Sequence, residues 1–364
     1  MTDELISDPM TEPIVEVRGR KTSLRDLLQG MTALGASDLF LKTGTRVRFK
    51  ISGRIVGFEG QRLTRQMMEH VLHCFLSEDE RAMLLDRKVA DLVYASGEAR
   101  YRIHFALGHT GPYATIRLIA QDIAEFDDLG LPETVRQNML GLTGGLVVVC
   151  GATDAGKTVT CTSWIDRLNK TKQYAMLTLE DPIEYIFEDQ NSLVLQREIG
   201  AHTETFASGI RAALRENLDV IFVGEMRGLS TIDEALRAAE MGHLVISTLH
   251  ADDVVACLSR IIGSFPTAEQ ARIRQSLASV LEGIMFQRLI PAAAGGRVPC
   301  VEAIWPNMAV RSIIRQGDLT KLGSYIGKSA GNQSFREGLH DLVEAETITR
   351  EVFTTQMANL PVSS

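Results

Sequence analysis

Long apolar runs are missing from this 364-residue chain, and none approaches the roughly 20 residues that a helix needs to cross a bilayer. Cysteine is scarce and scattered. The five present, Cys74, Cys150, Cys161, Cys257 and Cys300, share no C-x-x-C spacing, which excludes a four-cysteine zinc module. Their mostly apolar neighbours suit thiols that serve as small hydrophobes in a reducing cytoplasm. A cationic excess is missing too: the formal net charge of −8 argues against nonspecific nucleic-acid binding. The acidic N-terminus (Asp3, Glu4, Asp8, Glu12) excludes a secretory signal. There is no internal repeat and no low-complexity tract.

What is present is the composition of a soluble globular chain, 45% apolar and 23% charged. Its length predicts two domains. Residues 1–20 lack periodicity and are expected to form a loose arm. Ser23 reads as an N-cap with Asp26 three residues on, and Leu24, Leu27, Leu28, Met31 and Leu34 follow at helical spacing. Val47, Phe49 and Ile51 alternate with Arg46, Arg48 and Lys50 as in a half-wet strand, with Ser52-Gly53 as the turn after it. Met67, Met68, Val71, Leu72 and Phe75 mark a second helix. Tyr101, Ile103 and Phe105, then Ile116 and Leu118, mark further strands. Residues 21–120 thus predict a small α+β domain on an antiparallel sheet.

Residues 121–132 carry acids, glycine and proline without a sustained period and read as a linker. Beyond it, apolar strands at 146–150, 175–180, 219–223 and 244–249 alternate with helices at 157–169, 205–217, 230–241 and 252–262. That alternation predicts an α/β domain over 133–364, with a largely parallel sheet and its ligands at the carboxyl ends of the strands. Ile273, Leu277, Val280, Leu281 and Ile284 continue at helical spacing, and the remainder reads as mostly helical.

The most informative stretch is Gly151-Ala152-Thr153-Asp154-Ala155-Gly156-Lys157-Thr158. It follows an apolar strand and opens a helix, the context in which G-x-x-x-x-G-K-[ST] cradles phosphate. Main-chain N–H groups and the helix N-terminus favour an anion there. Lys157 is placed to reach the β- and γ-phosphates, and the Thr158 hydroxyl to ligate Mg²⁺. The bland alternative is an ordinary glycine turn.

Other candidate segments also sit at strand ends. Glu180, Asp181 and Glu184 follow one strand; they suit Mg²⁺ binding or water orientation, or else form a solvated acidic turn. Asp219 to Arg227 has the pattern of a Walker B strand, with Glu225 placed to activate the lytic water or to pair with Arg227. His243 precedes a strand and His250 follows it; His250 suits a γ-phosphate sensor or a hydrogen-bonded loop residue. In the first domain Arg100 and Arg102 share one strand face and Arg117 lies in another strand. They could serve a phosphate or pair with carboxylates on a wet sheet face.

Together these segments resemble the PilT/GspE-like secretion-ATPase superfamily, and within it the type IV pilus retraction ATPases. The resemblance runs from about Leu24 to Leu342. It is carried by Ala36-Ser37-Asp38-Leu39, Arg100-Tyr101-Arg102, Leu129-Gly130-Leu131-Pro132 and the phosphate loop. It continues through Leu179 to Tyr185, Gln196 to Gly200, Arg211 to Arg215, Val223 to Arg227, and Gly242-His243 with Thr248-Leu249-His250. Ala309 to Gln316 is similar to the AIRNLIRE motif of retraction motors, with Ser312 for Asn and Gln316 for Glu.

The resemblance implies a PAS-like N-terminal α+β domain, a RecA-like P-loop ATPase domain and C-terminal helices. It implies a homohexamer that hydrolyses ATP with Mg²⁺ and drives pilus retraction at the cytoplasmic face of the inner membrane. Such a ring would dock on a membrane platform protein without spanning the membrane and without nucleic acid. The implied site residues are Glu225, Glu180, Lys157, His243 and His250, with Arg102 and Arg117 facing phosphate, and Thr158, Glu180 and Glu225 serving the metal. The family's loop usually reads G-P-T-G-S-G-K-[ST], so Ala152, Asp154 and Ala155 depart from it, and Asp154 sets a carboxylate where glycine is usual. That departure favours one alternative, a weakly active or inactive accessory paralogue in a pilus-motor ring. A separate rival is a nucleic-acid motor on the same RecA-like core.

Overall fold

The computed structural model describes residues 8–51, 53–97, 99–119, 122–327 and 331–360. The chain divides into two units, Met1–Gln121 and Asp122–Ser364.

Of the predicted loose arm, residues 1–7 lie outside the described residues. After a short turn at Pro9–Thr11 the rest forms a strand pair, β1 (Pro13–Val17) and β2 (Arg20–Ser23). Arg18 and Gly19 take positive φ at the turn between them. Met10, Ile14 and Val15 are buried in the unit's core, which is what orders this segment. Ser23 caps α1 (Leu24–Ala33) in a reciprocal box with Asp26, as its spacing predicts. There follow β3 (Ala36–Lys42), β4 (Arg48–Ile51), β5 (Arg54–Gly57), α2 (Arg65–Phe75) and α3 (Glu78–Arg87). The unit closes with β6 (Val89–Ser96), β7 (Ala99–Gly108) and β8 (Gly111–Ile119). Of the predicted Ser52-Gly53 turn, Ser52 lies outside the described residues.

Strands β3 to β8 form one antiparallel sheet in the order β5-β4-β3-β8-β7-β6. Leu39, Leu41, Phe49, Ile103, Phe105 and Ile116 point to one face and share a core with Leu24 and Leu28 of α1 and Met68 and Val71 of α2. The opposite face carries Lys50, Arg102 and Arg117. One apolar and one polar face is what strict alternation along these strands demands.

The second unit begins in the segment read as a linker. Phe126 and Leu131 are buried there, beside α4 (Glu133–Gly141), so this stretch belongs to a core. The alternating elements follow: β9 (Gly145–Cys150), α5 (Lys157–Thr171), β10 (Ala175–Glu180), β11 (Leu193–Glu198) and α6 (Phe206–Ala213). Then come β12 (Val220–Val223), α7 (Leu229–Glu240), β13 (Leu244–Leu249), α8 (Val254–Gly263) and α9 (Thr267–Val280). The helical pattern does not continue past Val280. Strands β14 (Leu281–Pro291) and β15 (Arg297–Ile304) occupy that region, followed by α10 (Met308–Gln316), α11 (Phe335–Glu344) and α12 (Arg350–Ala358).

The seven strands run in the order β11-β10-β12-β13-β9-β14-β15, parallel except for β15. Helices cover both faces, so the central strands are buried throughout. In β9, Leu146, Val148 and Cys150 pack to one side while Val147 and Val149 pack to the other. This is the mixed α/β fold that the sequence predicts, and it brings the carboxyl ends of β9, β13, β12 and β10 side by side.

Candidate nucleotide site

The loop after β9 is shaped by close approach to β14. At Gly151 a Cβ would lie 2.4 Å from the Gln287 carbonyl oxygen, and at Gly156, with φ +82°, 2.9 Å from Gln287 Nε2. No other residue fits at these two positions. Gln287 is itself buried on β14 and donates from Nε2 to the Ala155 carbonyl at 2.8 Å, while its Oε1 accepts from the Thr160 hydroxyl at 2.8 Å. It therefore braces the loop and the first turn of α5 together. In the sequence its segment continues the helical spacing, so this brace is not visible there.

Asp154 takes φ +63°, in the left-handed region where the family's glycine costs nothing. Its carboxylate is exposed and makes no hydrogen bond or ion pair among the described residues. Ala152 and Thr153 are exposed beside it, and Ala155 is buried. Lys157 is buried in the first turn of α5, and its Nζ donates to the carbonyls of Gly151 at 3.0 Å and Ala152 at 2.7 Å. Burial lowers its pKa, and the Glu225 carboxylate opposes that shift most strongly. Thr158, half-buried, is the next residue on that turn.

Glu225 follows β12, two strands from the loop. Its Oε2 pairs with Arg227 at 2.7 Å and its Oε1 lies 3.6 Å from His250 Nε2. The surrounding turn is tied to β13, where Ser247 donates to the Val223 carbonyl at 2.7 Å and Thr248 to that of Gly224 at 2.6 Å. Glu225 keeps a fifth of its side-chain surface exposed, so it is reachable by water.

Glu180 ends β10 and is buried. The Thr178 hydroxyl donates to its Oε1 at 2.6 Å, with Gln196 Nε2 at 3.4 Å, and the Glu184 amide donates to Oε2 at 3.4 Å. Burial outweighs these bonds and pushes its pKa up to about 7. Its carboxyl is thus enclosed by its own hydrogen bonds, unlike the exposed edge of Glu225.

His243 is not brought to this end of the sheet. It sits at the amino end of β13, its Nδ1 2.9 Å from the Ala238 carbonyl in the last turn of α7. Its own carbonyl accepts from Gly145, the first residue of β9. Seven residue steps along β13 at about 3.3 Å each separate the two histidines by about 23 Å.

Arg102 and Arg117 belong to the first unit, where they face each other directly across β7 and β8. Like charges so placed repel. Asp38, buried, holds Arg117 at 2.9 Å, and Asp91 lies 4.0 Å from Arg102. Arg100 carries a buried Nη1 with no partner among the described residues.

The residue types fit Mg²⁺, a hard cation that takes oxygen ligands. The Thr158 hydroxyl and the Glu225 carboxylate are hard donors, and phosphate oxygens complete such shells. Among the described residues no group of three or more His, Cys, Asp or Glu side chains could hold a metal by itself.

Residues 20–359 match the family model of the type II/IV secretion system proteins. The chain belongs to that family. It is similar to the type IV pilus retractation ATPase PilT of Pseudomonas aeruginosa, at 34% identity over 90% of this chain and 96% of that one. It is similar also to the uncharacterised protein YggR of Escherichia coli, at 38% identity over 83% of this chain and 92% of the other. Among solved structures, the pilus retraction motor PilT with bound ADP superposes with a TM-score of 0.83. That match has 37% identity and covers 91% of this chain and 95% of the other.

Members of this family share the two-domain fold described above, with the phosphate loop in the RecA-like part. In this chain the AIRNLIRE-like stretch forms α10, capped by Asn307 and stopped by Gly317 at φ +81°. Its Arg311 donates to the carbonyls of Ala278 and Ser279 at the end of α9 and pairs with Glu282 at 2.8 Å. The two departures from the motif meet each other, Gln316 Nε2 donating to Ser312 Oγ at 3.3 Å.

Proposed function

We propose that this chain is a Mg²⁺-dependent motor that works as a homohexamer to drive type IV pilus retraction. That it is an ATPase of the secretion-motor family follows from its membership and its phosphate loop. The observation that carries the reading is the pairing of Glu225 and His250 just past the carboxyl ends of β12 and β13, at the same end of the sheet as that loop, within a chain similar to PilT over nearly its whole length. No described helix is long and apolar enough to cross a membrane. We place the protein on the cytoplasmic face of the inner membrane, docked on a platform protein, without nucleic acid.

In this mechanism the main-chain N–H groups of residues 151–158 and the N-terminus of α5 bind the phosphates. Lys157 leaves the Gly151 and Ala152 carbonyls for the β- and γ-phosphate oxygens. Thr158 and Glu225, with Glu180 behind them, would hold Mg²⁺, which when bound neutralises phosphate charge. Glu225 accepts the proton of the attacking water, and His250 beside it fixes that carboxylate's orientation. Arg102 and Arg117 stabilise charge on the transferring phosphoryl group.

Asp154 favours one second reading, a weakly active accessory paralogue in a motor ring. Phosphate release by the purified chain, with and without Mg²⁺, separates the two. Robust Mg²⁺-dependent turnover supports the motor; bound ATP without turnover supports the accessory subunit. Glu225→Gln should bind ATP normally and lose nearly all hydrolysis. Hydrolysis at the parental rate in that variant would remove Glu225 as the base.

A further inference from the structure

We infer that the β4–β5 hairpin is a docking surface for anionic phospholipid. Between Lys42 and Arg65 the sequence holds seven Lys or Arg against a single acid, Glu59, in a chain whose net charge is −8. Six of these cations, Lys42, Arg46, Arg48, Lys50, Arg54 and Arg62, make no ion pair among the described residues. All six are exposed or half-exposed. Elsewhere in the same unit Arg117, Arg102, Arg25 and Arg81 are matched to carboxylates, while Arg20, Lys21, Arg87 and Lys88 are not matched among the described residues; what sets this stretch apart is the density of its unpaired cations. Arg46 and Arg62 donate to the Gly60 and Gly44 carbonyls, and among the described residues no carboxylate neutralises these six cations of the hairpin and its flanks.

The apolar part of the surface lies on β5, the last strand of its sheet. Ile55 is 61% exposed and Val56 38%. Ile55 stands directly opposite Lys50 on the polar face, whereas Val56 stands opposite the buried Phe49 on the core face. The edge strand thus exposes one aliphatic on each face, and only Ile55 shares its face with Arg48 and Lys50. Charges commonly blunt an exposed edge strand against pairing with another. That function alone would be served by charges on β5 itself, yet two of its four residues are exposed aliphatics. An exposed aliphatic edge with cations along its polar face is the chemistry that enters the headgroup layer of an anionic membrane.

Two other occupants fit less well. A second copy using the same edge by two-fold symmetry would set seven cations against seven. Nucleic acid would be served by aromatic platforms for the bases, whereas the exposed apolar residues here are aliphatic. Phe58 is covered by the Arg18 guanidinium, 4.5 Å from its ring centre.

This inference rests on the membrane-side location proposed above and supplies its surface and lipid chemistry. Binding to vesicles is read without nucleotide, so its failure and a failure of hydrolysis are separate results. The test is sedimentation of the full chain with vesicles of phosphatidylcholine mixed with phosphatidylglycerol, and with phosphatidylcholine alone. Binding to the mixed vesicles only, weakened by salt, is expected. Each cation removed should lower partitioning about fivefold, so Arg48→Glu with Lys50→Glu should nearly abolish it. Ile55→Ser with Val56→Ser should lower it several-fold at unchanged charge. These side chains are exposed or half-exposed, so thermal midpoints should stay near the parental value and certify folding. The inference is overturned if mixed vesicles do not retain the chain, or if either pair of substitutions leaves retention unchanged. Tighter retention by a random oligonucleotide than by mixed vesicles would overturn it in favour of nucleic acid.

Discussion

Gln287 holds Ala155: the side-chain amide of β14 donates 2.8 Å to the main-chain carbonyl of the phosphate loop. Its other atom accepts from Thr160 on α5 at 2.8 Å. Replacing it by Leu keeps most of the volume and strands two buried polar groups, each costing about 1–3 kcal/mol. Gln287→Leu should therefore lower the urea unfolding free energy by about 3 kcal/mol and weaken ADP binding measurably. Parental values for both would show that the loop keeps its shape without this brace.

Glu180 makes the fold sensitive to pH in a definite direction. Burial raises its pKa from 4.5 to about 7, whereas in the unfolded chain it ionises near the ordinary value. Between those values the unfolded state gives up a proton that the folded state keeps. Stability from this group therefore falls as pH rises from about 4.5 to about 7 and is level above that, a change of roughly 3 kcal/mol. Urea denaturation without nucleotide at about pH 5 and about pH 8 measures it. In Glu180→Gln the corresponding loss should be much smaller, and an equal loss in that variant would assign the slope to other groups.

The parts of this protein that were legible in the sequence are those whose physics is local. Strands β9, β10, β12 and β13 read as short apolar runs because both of their faces are covered. The phosphate loop reads from the spacing of Gly151, Gly156, Lys157 and Thr158. Strand β14 was illegible for the same reason that its neighbours were clear: a strand buried on both faces has no alternation. Leu281 and Ile284 happen to prolong the helical period of α9. With β14 read as helix, Gln287 had no visible claim on the loop. The segment from Pro13 to Ser23 was lost because its order comes from burying Ile14 and Val15 in a core, a tertiary fact. The direct facing of Arg102 and Arg117 needed the register of β7 against β8, which no single strand reveals.

Asp154 sets a charge and a left-handed backbone in the same place. At about 6 Å and an effective dielectric near 20, its repulsion of one phosphate charge is roughly 3 kcal/mol. The carboxylate is exposed, and solvent screening leaves about 1 kcal/mol of that. Asp154→Gly also removes the cost of a side chain at φ +63°. The variant should bind ATP about fivefold to tenfold more tightly by calorimetry and unfold at a higher temperature. Unchanged or weaker affinity would mean that the carboxylate is already compensated when nucleotide binds.

His243 and His250 flank one strand and should answer differently to substitution. His250 lies 3.6 Å from Glu225, at the end of the sheet that carries the phosphate loop. His243 lies at the other end, its ring 2.9 Å from the Ala238 carbonyl. A side chain that satisfies a carbonyl in the last turn of a helix stabilises that turn by about 1 kcal/mol. His243→Ala should accordingly lower the thermal midpoint while ATP affinity stays parental, whereas His250→Ala should lower turnover with little change in midpoint. His243→Asn, which restores a donor near the same carbonyl, should recover part of the lost midpoint. A loss of turnover in His243→Ala at an unchanged midpoint would instead give this residue a role in hydrolysis that its place at the amino end of β13 does not provide within one chain.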